Sequence, residues 1–262
     1  MPRKTISVPR QVENLLKIFR NEVKTILGGK FLALYVFGSV GMGDFSEHSS
    51  DIDFLVLVAT SINQGEGKQL QAMHDKLCVT QFGDRLEGEY VVTSALYSEG
   101  VEGTVARCES GVLLLDVPSQ VSAENILDIR QNALVVYGPD PKNIMPHVSY
   151  QSVRKVMQDY LREEIDEVKH VEVKDLKWLS SQVLNTCRTL YTLKTGRITS
   201  KSAGARWALR VLSSEWKPLI SRSLAVRQGK QKENDKTFIA SELPQFVAYA
   251  LRVSEYTKLA KN

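Results

Sequence analysis

The amino-acid sequence predicts an α+β protein in two parts: an N-terminal domain with a mixed sheet and flanking helices, then an all-helical C-terminal bundle. Three observations carry that expectation. Before residue 146, short apolar, β-branched runs alternate with stretches of helical periodicity. After it, helical periodicity continues with almost no strand signal. Between the two, Asp140, Pro141, Asn143 and Pro146 make a polar, proline-marked connection, which places the domains at 1–146 and 147–262. The length of 262 residues agrees, since single cores stop growing near that size.

Taken in order, Val12, Leu15, Leu16, Phe19, Val23, Ile26 and Leu27 fall on one stripe of an amphipathic helix, which Gly28 and Gly29 stop. Residues 31–37 and 52–58 are short and apolar, so each reads as a buried strand, with a turn-rich link between them. Residues 66–82 carry a helical pattern and 86–92 a β-branched strand pattern. Residues 134–137 form a short strand closed by Gly138 and Pro139. In the second half the spacing predicts helices over 149–171, 176–194, 200–212 and 243–259. The charged stretch 227–236 reads as a loop, and 93–130 gives no clear assignment.

Composition excludes several classes of function. At 43% hydrophobic and 24% charged the chain is not disordered. Thirty-four Lys and Arg against 30 Asp and Glu give a balance of only +4, without basic stretches interleaved with aromatics, so no nucleic-acid partner is expected. No apolar run approaches the roughly 20 residues needed to cross a bilayer. The start, Met1-Pro2-Arg3-Lys4, has no apolar segment behind it, so no secretory signal is expected and the predicted location is the cytoplasm. Cys78, Cys108 and Cys187 are isolated and odd in number, as structural thiols of a reducing compartment would be. The four scattered histidines build neither a zinc site nor a Ser-His-Asp triad.

The informative stretch is Phe37-Gly38-Ser39 followed, past a polar loop, by Ser50-Asp51-Ile52-Asp53-Phe54. Strand side chains alternate faces, so Asp51 and Asp53 project to one side while Ile52 and Phe54 point to the other. Two adjacent carboxylates repel, and a divalent cation removes that cost. Hard oxygen ligands suit Mg²⁺, which takes one or two carboxylates together with phosphate oxygens. Gly38 lets a phosphate approach the backbone, and Ser39 can donate to it. A further acid should come from the neighbouring strand, where Glu87 and Glu89 share a face; strand parity does not choose between them.

Gly-Ser followed by Asp-x-Asp on the next strand resembles the nucleotidyltransferase superfamily related to DNA polymerase β. The whole chain is similar to the aminoglycoside adenylyltransferases of the spectinomycin and streptomycin type. The resemblance rests on Phe37-Gly38-Ser39, Ser50-Asp51-Ile52-Asp53, Leu86-Glu87, Tyr137-Gly138-Pro139-Asp140, and Leu184 to Tyr191 followed by Thr195 to Lys201. It implies transfer of AMP from Mg-ATP to a hydroxyl of an amino sugar or aminocyclitol, with pyrophosphate leaving. Residue by residue it implies Asp51, Asp53 and Glu87 as metal ligands, with Glu87 also the base, and Gly38, Ser39 and Ser50 as phosphate contacts. Arg188 and Lys201 fall on cations that reach the triphosphate. Arg227 stands where the family has a tyrosine stacked on adenine, and a guanidinium can also stack on a base.

The family's acids at the helix start near residue 178 are replaced here by Trp178 and Ser181. Asp175, about one turn earlier, and the aromatic face of Trp178 are therefore the expected acceptor contacts. The partners expected are ATP and a small hydroxylated, cationic acceptor, with the protein a monomer. Two alternatives stand beside this: a nucleotidyltransferase acting on another small molecule, a protein or tRNA, and a nucleotide-binding module without catalysis. A missing carboxylate would mark the latter, and none is missing.

Overall fold

The computed structural model describes residues 8–256. The tetrapeptide Met1-Pro2-Arg3-Lys4 and the last residues of the predicted final helix, 257–259, lie outside them. The chain forms two compact units: Met1–Phe45 with Ser50–Val148, and Ser46–Ser49 with Ser149–Asn262. Among the described residues, no helix is long and apolar enough to cross a membrane.

The first unit begins with α1 (Arg10–Leu27), whose stripe Val12, Leu15, Leu16, Phe19, Val23 and Leu27 is buried. It ends at Gly28, in the left-handed region at φ 51°. Strand β1 (Phe31–Val36) leads into the short helix α2 (Gly38–Gly41), then β2 (Ile52–Val58), α3 (Gln64–Cys78) and β3 (Leu86–Val92). Asn63 and Glu66 close a reciprocal capping box at the start of α3. The helix stops at Cys78 rather than at 82, because Phe82 adopts φ 67° and begins a separate turn.

The unassigned stretch 93–130 folds into a small hairpin, β4 (Leu96–Tyr97) with β5 (Gly100–Val101), then β6 (Thr104–Glu109), β7 (Val112–Pro118) and α4 (Ala123–Asn132). Strand β8 (Leu134–Tyr137) and helix α5 (Pro141–Ile144) follow. The six-stranded sheet is ordered β7-β6-β3-β2-β1-β8 and is mixed: β2 and β3 run parallel, the other pairs antiparallel. Ile52, Phe54, Val56 and Val58 share a face and pack into one apolar cluster with α1 and α3. Phe54 meets Phe19 edge to face at 4.9 Å. His74 lies in this core, bonded to the Tyr90 hydroxyl at 2.9 Å, and burial lowers its pKa to about 4. Its role is structural.

The second unit is helical: α6 (Tyr150–Glu167), α7 (Leu176–Thr195), α8 (Lys201–Val211), α9 (Lys217–Arg227) and α10 (Asp235–Tyr256). Ser149, Asp175 and Ser200 each cap a helix N-terminus through the side chain. Helix α7 packs against α6, α8, α9 and α10, so Leu179, Val183, Leu184 and Cys187 are fully enclosed. Helices α7 and α8 touch at Gly204, where a Cβ would stand 2.8 Å from the Arg188 Cα. Helix α6 ends at Glu167, short of 171, α9 has no counterpart among the expected helices, and two further boundaries differ from expectation. Helix α10 starts at Asp235, ahead of 243, and runs through Pro244; the hydrogen bond lost there is offset by burial of Ile239, Leu243, Phe246 and Val247. Arg227 is no loop residue: it closes α9 and is buried.

Candidate active site

Strands β2 and β3 bring the acids together. Their parallel register sets Asp53 directly beside Glu87, with Asp51 just before β2. Glu87 is half-buried and its carboxyl is held above the usual glutamate range, first by burial, then by the charges of Asp51, Asp53 and Glu109. The Ser110 backbone opposes this by donating to the carboxylate. Ser110 sits in the left-handed region, φ 50°, at the tip between β6 and β7. A cavity of about 180 Å³ in this unit is lined by Asp53, Glu87, Glu89, Arg107 and Glu109.

The choice between Glu87 and Glu89 now has a physical basis. Glu89 is 3% exposed, and its two oxygens accept from the Ser119 hydroxyl and from the Gln120 N–H at 2.7 Å. Its carboxylate is committed to holding the chain after β7. Glu87 keeps its acidic neighbours and its place on the cavity wall.

At the preceding turn Gly38 has φ 59°, and a Cβ there would fall 2.1 Å from Asp53 Oδ2. Only glycine lets that carboxylate lie over the backbone. The Gly38 N–H donates to Asp128 Oδ2 at 2.9 Å. Ser39 Oγ reaches the Asp51 carbonyl at 3.4 Å, and Ser50 is buried. Asp128, Ser110 and Glu109 escaped sequence reasoning because they lie in 93–130, where exposed Val112 and Leu114 on β7 blur the strand pattern.

The residue set fits a hard cation. As placed, no three His, Cys, Asp or Glu groups among the described residues stand ready to hold a metal. The donors are nevertheless all carboxylate oxygens, and their mutual repulsion is visible in Glu87; Mg²⁺ needs no more than one or two of them beside phosphate oxygens.

The helical unit contains a cavity of about 320 Å³ whose wall includes Lys177, Ser181, Lys201, Arg227, His48 and Ser49, with no carboxylate among its lining residues. Lys201 Nζ donates to Ser181 Oγ at 2.5 Å, and an Arg227 guanidinium nitrogen lies 3.4 Å from Ser49 Oγ. Arg188 is partly buried on α7, and its charge is felt at Tyr160. The two expected acceptor contacts meet a different arrangement. Asp175 accepts the Trp178 N–H at 2.6 Å as the cap of α7, and the Lys174 ammonium sits over the Trp178 ring at 4.6 Å. Neither is among the residues that line the cavity.

A mixed sheet presenting paired acids beside a Gly-Ser turn, followed by a helical domain, defines a nucleotidyltransferase. The nucleotidyltransferase domain model matches residues 16–86, and the model for the aminoglycoside adenylyltransferase C-terminal domain matches 143–252. The chain thus joins a nucleotidyltransferase domain to a C-terminal domain of the aminoglycoside adenylyltransferase type, and it is an enzyme. It is 28% identical to the spectinomycin 9-adenylyltransferase of Staphylococcus aureus over 87% of each chain. It is 24% identical to that of Campylobacter jejuni, over 92% of this chain and 93% of the relative. Its fold is similar to the solved Enterococcus spectinomycin adenyltransferase, crystallised with ATP and spectinomycin, at a TM-score of 0.67 and 16% identity, covering 90% of this chain and 99% of that one.

Proposed function

We propose that this enzyme transfers AMP from ATP to a hydroxyl of an aminocyclitol or aminoglycoside antibiotic. The observation that carries the reading is Glu87, set beside Asp53 by the β2–β3 register and on a cavity wall, while both oxygens of Glu89 accept hydrogen bonds from the chain after β7. Glu87 takes the proton of the acceptor hydroxyl; the oxygen forms a bond to the α-phosphorus while the bond to pyrophosphate breaks. Asp51, Asp53 and Glu87 would hold Mg²⁺, which would supply neutralisation of the phosphate charge. Ser39 and Ser50 orient phosphates, and Arg188, Lys201 and Arg227 bind the nucleotide as cations. The spectinomycin enzymes among its relatives make spectinomycin the first acceptor to test.

The test is incubation with Mg-ATP and spectinomycin, streptomycin and a wider aminoglycoside panel, following pyrophosphate release and the mass of the drug. An AMP adduct on one of them is expected. Pyrophosphate release without any drug adduct would keep the chemistry and reject the acceptor class.

A further inference from the structure

We propose that Asp128 is a positioning residue for Asp53, acting through Gly38; the proposal rests on the reading of Asp53 as a metal ligand. Asp128 lies on α4 and is 5% exposed, yet both its oxygens are placed. Oδ2 accepts the Gly38 N–H at 2.9 Å, and Oδ1 accepts the Asn132 side-chain amide at 2.7 Å. The grip on Gly38 is therefore itself gripped, by a residue one turn further along the same helix.

What this secures is the backbone beneath the carboxylate. Asp53 Oδ2 lies over Gly38, and the Phe37 N–H donates to the Asp53 carbonyl at 3.0 Å. The end of α2 is held against α4 as well, since a Cβ on Gly41 would stand 2.8 Å from the Asn132 carbonyl oxygen. If the Gly38 peptide rotated, it would press on the Asp53 carboxylate or withdraw from it. A left-handed glycine has little intrinsic preference to stop that rotation, so the fixed N–H acceptor must. Partners that orient metal-ligating side chains in this way are typically worth 10–100-fold in metal affinity or activity. Burying a carboxylate is costly, and a position with no task beyond packing α4 is served as well by an apolar side chain.

Two substitutions separate the hydrogen bond from the charge. Asp128→Asn keeps an acceptor for the Gly38 N–H once the Asn132 amide turns over, and removes the charge. Asp128→Glu keeps the charge and displaces the acceptor; should that variant not fold, Asp128→Ala takes its place. Each is assayed below its melting temperature for Mn²⁺ binding by electron paramagnetic resonance and for kcat/KM of AMP transfer. Asp128→Asn is expected within about twofold of wild type in both, and Asp128→Glu about tenfold or more weaker in both. Equal behaviour of the two variants, or impairment of Asp128→Asn alone, overturns the proposal. Wild-type protein that binds Mn²⁺ but transfers no AMP overturns the functional reading instead, and the Mn²⁺ measurements still decide the role of Asp128. A wild type without Mn²⁺ affinity rejects the metal assignment and this proposal with it.

Discussion

Each unit contains a glutamate whose carboxyl is raised above its usual range, and the two differ in what surrounds them. Glu87 is half-buried, borders a cavity, and is raised by burial together with three neighbouring acids. Glu164, on α6, is 4% exposed and raised to about 7 by burial, with Glu167 adding to the effect and Tyr160 and Lys174 opposing it. Its Oε1 has no hydrogen-bond partner, and it lines neither cavity. On the proposed reading a cation bound beside Glu87 would relieve the repulsion of Asp51, Asp53 and Glu109. Around Glu164 the opposition of Tyr160 and Lys174 falls short of the effect of burial, so the shift is a cost to the folded state. A perturbed carboxylate therefore points to catalysis only when a cavity and like charges accompany it.

The largest expected effect belongs to the acids beside Glu87. Asp53→Asn should leave circular dichroism unchanged and lower AMP transfer by about 10³-fold or more, because a ligand and the carboxylate seated over Gly38 are both lost. Near-wild-type turnover in a pyrophosphate-release assay would remove Asp53 from the metal site.

Within β3, Glu87→Gln should reduce kcat by about 10²-fold or more with little change in the KM for ATP. Glu89→Gln should affect kcat far less but lower the melting temperature, since it loosens the ties to Ser119 and Gln120. The reverse ranking would transfer the role of base to Glu89.

The helical counterpart is tested by pH. With a folded pKa of about 7 against an ordinary 4.5, Glu164 is protonated in both states at pH 4 and penalises nothing there. As pH rises from 4.5 to 7 the unfolded chain ionises while the native state resists, and above 7 the full penalty is present. Glu164→Gln removes it, so this variant should be more stable than wild type by up to about 3 kcal/mol at pH 8 and equal to it near pH 4.5. Thermal denaturation at the two pH values checks this; a gain of the same size at both would place the penalty in packing instead of ionisation.

The smallest effect should come from the start of α7. Asp175→Ala removes a cap and should destabilise the protein by about 1 kcal/mol, without changing the KM for the acceptor. A raised acceptor KM at unchanged stability would return Asp175 to the binding site.

The sequence by itself determined the parts whose signal is local. The apolar stripe of α1 and the apolar run of β2 are each written within one element. So was the pairing of Asp51 with Asp53, because side-chain alternation is a property of the strand itself. Only the tertiary structure gives Glu87 and Glu89 different surroundings: they share parity, and what separates them is Ser119 and Gln120, some thirty residues away and bonded to one of the two. It also assigned 93–130 to four strands and the start of α4, where exposed apolar residues on β7 had hidden the strand period, and placed Asp128 ninety positions along the chain from the Gly38 amide it holds. It showed Asp175 bonded to the Trp178 N–H and Lys174 set over the Trp178 ring, since which neighbour a polar side chain satisfies is settled by packing. Local periodicity is a short-range property that composition can carry, whereas the partner of a buried charge is a contact between distant segments, and it exists only once the chain has closed around it.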